Sequence, residues 1–355
     1  MREVVVEIAV TADVHLDEEH PERGRHFDRL LGRLETEGIT TVIIAGDLLD
    51  SGTASVPGFE EIARAHPDTA FHIIRGNHDH SLRSGQIAAE NVTVYDEPTF
   101  TAIDGAPVLF LPYALEAATM GEALEQSGLA EELPSGRYVL VSHGDYGGVR
   151  REVSGDEAGY FPLTPGDLSR YGPARALLGH IHLPGAGDST VRYPGSPYPL
   201  DRSETGQRRI LLLDAETLRV RSRSVEDAPV YLDLEVLMVP GEEERRELGE
   251  RVRETLERAA ESYEGEGFAE KAAVRMKVVG FAREREGIAE TVRSAAADVG
   301  LGQEQVELAN EVAIAAADER SAVAQEVRKR AAPDAGQVDP DRLLRRALEY
   351  VFGEG

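Results

Sequence analysis

Five short pieces of the chain carry side chains that bind metal ions or move protons. In order they are Asp13-Val14-His15, Gly46-Asp47-Leu48-Leu49-Asp50, Gly76-Asn77-His78-Asp79, Ser142-His143-Gly144 and Gly179-His180-Ile181-His182. One D-x-H alone is a weak signal, because a lone Asp after a strand is often a turn or cap residue. His20, His26, His66, His72 and His80 are read as ordinary structural histidines. The five pieces differ from these in position, since each follows a short apolar run of the kind that forms a buried strand. The carboxyl ends of strands in an α/β sheet form a ligand crevice, so segments far apart in sequence can converge there. On an extended backbone residues two apart point the same way, which pairs Asp13 with His15 and His180 with His182.

Two carboxylates (Asp13, Asp47), one amide (Asn77) and four imidazoles (His15, His143, His180, His182) make seven ligands. That is too many for one ion and suits two. The chain has no cysteine, which excludes thiolate zinc sites, disulfides and a cysteine nucleophile. Oxygen and nitrogen donors without sulfur favour Mn²⁺, Fe²⁺, Zn²⁺ or Mg²⁺, and Mn²⁺ suits the mixture. Two ions roughly 3.5–4 Å apart clamp a phosphate and activate a water between them. One carboxylate must then bridge the pair, and Asp47 is the natural candidate. Gly46, Gly76, Gly144 and Gly179 stand beside the ligands, where sharp turns and close backbone approach are needed. No G-x-S-x-G elbow and no G-x-x-x-x-G-K loop occurs, so a serine nucleophile is disfavoured and ATP hydrolysis would need a partner.

The elements that must hold these residues alternate at first between strand and helix. Val4–Ala12, Thr41–Ala45, Ala70–Ile74, Thr99–Ile103, Val108–Leu111, Arg137–Val141 and Ala174–Leu178 read as strands. Phe27–Glu37 and Glu60–Ala65 read as helices, and Arg208–Asp214 with Arg219–Val225 as a closing hairpin. The expected fold is α/β, a layered α-β-β-α sandwich over residues 1–228. After Pro229 the pattern restarts. Tyr231–Val239, Ala272–Val279 and Val306–Ala316 read as strands, with Glu242–Glu261 and Ile288–Ala297 as helices between them. That order fits a smaller α/β domain over 229–330. Residues 331–355 hold a Pro/Gly/Asp linker, Ala331–Pro340, and a helix, Asp341–Phe352.

Length and charge bound the function. At 355 residues two domains are expected. No run approaches the roughly 18 apolar residues of a membrane helix, and the start of the chain runs directly into a strand pattern unlike a signal peptide. A cytoplasmic protein without a membrane partner is the default. Sixty-five acids against 38 bases give a net charge of −27, and a charge of that sign repels nucleic acid at long range. It argues against a passive DNA-coating protein but not against an enzyme that grips a phosphate chain through metal ions.

Taken together, the five motifs resemble those of the calcineurin-like metallophosphoesterases. The resemblance implies one metal held by Asp13, His15, Asp47 and His182, and a second by Asp47, Asn77, His143 and His180. It implies that His78 is the catalytic histidine beside the scissile phosphate and that Asp50 orients it. A narrower resemblance lies in Tyr193-Pro194-Gly195-Ser196-Pro197-Tyr198 followed by Asp201-Arg202-Ser203-Glu204. This segment is similar to the one after the last metal histidines in SbcD-type DNA repair nucleases, and the domain after Pro229 resembles their capping domain in placement. That likeness implies a Mn²⁺-dependent exonuclease or endonuclease acting on DNA in double-strand-break repair. It implies an SbcC-type coiled-coil ATPase as partner, and a homodimer is compatible with it. Arg150, Arg151 and Arg202 are the basic residues nearest the motif loops and the candidate phosphate contacts. The alternatives are a stand-alone phosphodiesterase or phosphatase for a small molecule, which the acidic charge favours, and a non-catalytic scaffold, which the complete ligand set disfavours.

Overall fold

Alternation of side chains along each strand decides how the first half of the chain layers. The computed structural model describes residues 6–51, 54–147, 160–314 and 345–346, and the chain divides into two compact units, Met1–Ala228 and Pro229–Gly355. In chain order the first unit contains β1 (Glu7–Thr11), α1 (Pro21–Thr36), β2 (Thr41–Ala45), α2 (Val56–Ala65), β3 (Ala70–Ile74), β4 (Val92–Tyr95), β5 (Thr99–Ile103), β6 (Ala106–Leu111), α3 (Met120–Ser127), β7 (Val139–His143), α4 (Pro165–Tyr171), β8 (Arg175–Gly179), β9 (Val191–Arg192), β10 (Arg209–Asp214) and β11 (Val220–Ser224).

These strands form a six-stranded sheet ordered β11-β10-β1-β2-β3-β4 and a five-stranded sheet ordered β5-β6-β7-β8-β9. Ile8, Val10, Ile43, Ala45 and Ile74 of the first sheet pack against Val108, Phe110, Val139, Val141 and Leu177 of the second. Their neighbours one residue along, Ala9, Val42, Ile44, Phe71 and Ile73, face the other way onto Phe27, Leu30, Leu31 and Leu34 of α1 and Phe59 of α2. Leu109, Leu111, Leu140 and Leu178 likewise turn outward onto Met120, Ala123 and Leu124 of α3. A strand with apolar residues on both faces is buried between two layers, and the result is the expected α-β-β-α sandwich. β1, β2, β3 and β4 run parallel to one another, as do β6, β7, β8 and β9. The loops after β1, β2, β3, β7 and β8 are therefore all at carboxyl ends.

The second unit repeats the β-α-β-α-β order read from its sequence. β12 (Val230–Met238), β13 (Ala272–Ala282) and β14 (Val306–Ile314) form one parallel sheet. Helix α5 (Glu244–Ser262), the single turn α6 (Phe268–Lys271) and α7 (Ile288–Asp298) connect them. Leu248, Val252 and Leu256 of α5 share a core with Ile288 and Val292 of α7 and with Val274, Met276 and Val278 of β13. The linker Ala331–Pro340 and the terminal helix Asp341–Phe352 lie outside the described residues, apart from Arg345 and Arg346. Arg345 Nη1 stands 2.7 Å from Glu235 Oε1 on β12. Among the described residues no helix is long and apolar enough to cross a membrane.

Five of the described elements were not read from the sequence: β4, β9, the single turn α6, and the helices α3 and α4. The two helices are short and declare themselves by their ends rather than by apolar periodicity. Thr119 caps α3 by accepting from Glu122 N, and Gly128 ends it at φ 74°. Thr164 and Asp167 close a reciprocal capping box on α4, with Pro165 in its first turn. Helix α1 starts six residues before the apolar pattern does, at Pro21, because proline suits the first helical position.

Candidate metal centre

The loop backbones are bent into unusual shapes before any side chain is considered. Asp13, His15, Asp47 and His180 have φ of 53°, 47°, 51° and 96°, a left-handed region that non-glycine residues adopt rarely and at a cost of about 1–3 kcal/mol each. Hydrogen bonds between loops hold them there. Asp13 N donates to Gly46 O at 3.1 Å, His15 N to Asp47 O at 3.0 Å and Asp50 N to Leu16 O at 3.1 Å. Two approaches require glycine outright. A Cβ on Gly76 would lie 2.1 Å from Asp47 Oδ1, and one on Gly179 would lie 2.1 Å from Ala45 O and 2.6 Å from His143 Nδ1.

Within this frame six of the seven expected ligands meet. One ligand atom each from Asp13, His15 and His182 lies within 4.8 Å of the others, and so does one each from Asp13, Asp47 and His143. Asn77 joins the second group through its Oδ1, 2.9 Å from His143 Nε2. Asp47 is buried between the two sets. Its Oδ2 is 3.2 Å from His143 Nε2 and 3.7 Å from His15 Nε2, while its Oδ1 accepts from His78 N at 2.9 Å. His180 is the one expected ligand set apart. Its ring lies 5.5 Å from that of His143, its Nε2 is 3.8 Å from Asp145 Oδ1, and its N–H is bonded to Asp13 Oδ1 at 2.9 Å.

Electrostatics follow from this crowding. Burial pushes the Asp47 carboxyl up, but the imidazoles of His143, His15 and His78 outweigh it and hold the acid well below its ordinary range. Burial likewise opposes a charge on His143. The Asp47 carboxylate wins there too and lifts the imidazole to about 9.

Two atoms test whether the donor set fits a metal ion. Asp13 Oδ2 and His15 Nε2 are buried and have no hydrogen-bond partner. Buried polar atoms are nearly always satisfied, and two unsatisfied ones in one cluster of donors are consistent with a bound ion or water. A carboxylate oxygen and an imidazole nitrogen aimed into a cluster of O and N donors fit a divalent cation. Asp13, His15 and His182 would hold one ion and Asn77 and His143 another, with Asp47 between them.

The two expected catalytic residues are adjacent to this cluster, with one difference in how they meet. The exposed His78 has its ring edge-on to His15 at 4.6 Å, and its Nδ1 is 2.7 Å from the Asp50 carbonyl oxygen. Asp50 thus supports His78 through its backbone. Its carboxylate instead takes His15 Nδ1 at 3.1 Å and Arg23 Nη1 at 3.2 Å. The His15 hydrogen bond, aided by the charges of His15, Arg23 and His78, holds Asp50 down at about 2. Of the candidate phosphate contacts, Arg202 stands half-buried in the turn before Glu204, and Arg150 and Arg151 lie outside the described residues.

Two residues with positional roles stood inside the motifs without being singled out. Glu204 closes the segment Asp201-Arg202-Ser203-Glu204 and sits 2.6 Å from His182 Nδ1. Asp79 closes G-N-H-D and is fully buried, accepting from Gly76 N at 2.6 Å, Leu48 N at 2.9 Å and Leu49 N at 3.3 Å. It clamps the loop after β3 to the loop after β2. Burial and the nearby Asp47 charge push its carboxyl up to about 6, against the pull of those N–H donors. An acid closing a ligand motif is the available signal. Asp79→Asn turns an NH₂ toward backbone donors, so the unfolding midpoint in urea should fall by the equivalent of about 2–3 kcal/mol. An unchanged midpoint would remove Asp79 from the clamp.

The comparisons with known proteins reach the level of the family. The sequence model of the calcineurin-like phosphoesterase family matches residues 6–190, just over half of the chain. No curated protein matches the chain. Among solved structures it is similar to an archaeal phosphodiesterase, with 17% identity over 61% of this chain and 99% of that one and a TM-score of 0.32. It is similar also to the GAP50 anchor of the Plasmodium inner membrane complex, with 13% identity over 62% and 85% and a TM-score of 0.42. A hypothetical protein of Pyrococcus horikoshii OT3 gives 14% identity over 62% and 88% and a TM-score of 0.34. The family match spans the whole set of motifs from Asp13 to His182, and with the sandwich fold it means that this chain belongs to the calcineurin-like phosphoesterases, a family of metal-dependent phosphoesterases.

Proposed function

We propose that the chain is a Mn²⁺-dependent DNA nuclease of the SbcD type, hydrolysing phosphodiesters at the carboxyl ends of its strands in break repair or end processing. The observation that carries this reading is Asp47, whose Oδ2 stands between His15 and His143. A carboxylate shared in that way belongs to a two-ion site, and bound ions would neutralise the phosphate oxygens and lower the pKa of the attacking water. The chain's own residues supply the rest. His78 is exposed, and with its Nδ1–H donated to the Asp50 carbonyl, Nε2 carries a proton in the imidazolium form, which can face the phosphate or protonate the leaving oxygen. Asp47 Oδ1 accepts from His78 N, and Asp79 accepts from Gly76 N two residues earlier.

Support for the nuclease reading over other phosphoesterases comes from the segment after the last histidines. Ser196 N donates to His182 O at 3.2 Å, and the buried Tyr198 hydroxyl donates to Val14 O. The Tyr193–Glu204 stretch that resembles SbcD is thus part of the site's wall rather than a distant turn. In this reading the unit Pro229–Gly355 serves as the capping domain and an SbcC-type ATPase as the partner, and the phosphate chain is met by ions before arginines. The net charge of −27 favours a second reading, a phosphodiesterase for a small molecule, because it opposes the approach of a polyanion.

Full-length protein loaded with Mn²⁺ separates the two when given linear duplex DNA, single-stranded DNA and a generic aryl phosphodiester. The nuclease reading expects DNA to be cut, and cut faster with the ATPase subunit present. Turnover of the aryl ester with both DNAs intact, with and without that subunit, would establish the small-molecule reading instead.

A further inference from the structure

The two expected metal positions have histidines supported in different ways. At His143 the nitrogen away from the cluster, Nδ1, donates to the backbone carbonyl of Ala45 at 2.9 Å. At His182 the corresponding nitrogen meets a carboxylate, Glu204 Oε1 at 2.6 Å, the shortest of the contacts between these imidazoles and an acid. Glu204 is itself immobilised. Its Oε2 accepts from Leu200 N at 3.0 Å and Ser196 Oγ at 3.1 Å, and lies 3.4 Å from Arg208 Nη1.

Arg208 is the feature that needs explaining. It is 1% exposed, and burying a guanidinium is expensive unless it is paired and hydrogen-bonded. Its Nη1 donates to His182 O at 2.9 Å and to Ser196 Oγ at 3.3 Å, and its Nη2 to Thr205 O at 3.1 Å. It therefore grips both the carboxylate that meets the His182 ring and the backbone of His182 itself. A buried cation spent on one carboxylate and one histidine fixes the angle of that ring.

We propose that Glu204, locked by Arg208 and Ser196, is the positioning residue for the metal ion held by Asp13, His15 and His182, setting that imidazole's tautomer and orientation. The inference rests on the two-metal reading above. With Nδ1 committed to Glu204, Nε2 is the nitrogen presented to Asp13 and His15. A histidine ligand whose other N–H is given to a carboxylate is oriented and made more basic, and loss of such a partner weakens metal binding about 10–100-fold. The effect is confined to one of the two positions, because His143 and Asn77 make no contact with Glu204 or Arg208 among the described hydrogen bonds.

Mn²⁺ titration of the full chain followed by electron paramagnetic resonance reads the two positions separately, since a coupled pair and a single ion give different spectra. Wild type should bind two ions and show the coupled spectrum. Glu204→Gln should bind one ion as wild type does and the other about 10–100-fold more weakly, with the coupled spectrum restored at high Mn²⁺. Metal-free thermal unfolding of the variant checks that its fold survives. Should Glu204→Gln fail to fold, Glu204→Asp, which keeps the charge but shortens its reach by one methylene, must show the same one-sided loss in smaller degree. Two ions bound at wild-type affinity by either folded variant would overturn the assignment to Glu204 alone. A wild type that never shows the coupled spectrum at saturating Mn²⁺ would overturn the two-metal reading with it.

Discussion

Replacing Asp47 with alanine is expected to strip more than one equivalent of metal from the protein and to lower phosphodiester turnover by roughly 10³-fold or more. The ions supply several kcal/mol of charge stabilisation, and each 1.4 kcal/mol is tenfold in rate. The expectation follows from where Asp47 stands. Its Oδ2 faces His143 on one side and His15 on the other, so both positions lose a ligand at once. The loss is also electrostatic, because Asp47 is the carboxylate that outweighs burial and lifts His143 to about 9. Without it Asp13 is the carboxylate left beside His15 and His143. Asp47→Asn is the useful companion, since its amide oxygen preserves the bond from His78 N while the charge is gone. Elemental analysis of both variants beside wild type decides the matter. A variant that keeps one full equivalent would show that Asp47 serves a single ion and that the bridge is elsewhere.

The convergence of these residues was legible in the sequence because of strand topology. Asp13, Asp47 and His143 each follow an apolar run, and parallel strands put the ends of such runs on one edge. Three things were harder to read. The Asp50–His78 pair was expected from resemblance, and the residues do meet, but the contact runs through the Asp50 carbonyl. Sequence motifs record residue types, and a backbone oxygen has no type to record. Asp79 and Glu204 lie inside the motifs, where residue type alone does not tell a positioning carboxylate from a ligand. Their work is to hold N–H groups and an imidazole in place, which only burial reveals. Finally α3 and α4 are short helices between strands. Their apolar positions are too few to set a period, whereas Thr119, Gly128, Thr164 and Gly172 mark their ends well.

His78→Ala should leave both metals in place and reduce turnover by about 10²–10⁴-fold, the usual worth of one general acid–base group. The reduction should fall on kcat with little change in KM, because a group that moves a proton late contributes mainly in the transition state. His78 is exposed where the expected ligands are buried or partly so, and its Nδ1 is occupied by the Asp50 carbonyl. The contrast with Asp50 sharpens the test. Asp50→Asn keeps the carbonyl that supports His78 but weakens the carboxylate contact to His15 Nδ1. It should therefore resemble a metal-binding variant, rescued by higher Mn²⁺, while His78→Ala is not rescued at any concentration. If the Asn variant instead lost turnover with full metal and the Ala variant lost metal with it, the two residues would have exchanged the roles assigned here. Near-normal turnover in His78→Ala would leave proton transfer to a group outside the loops after β2 and β3.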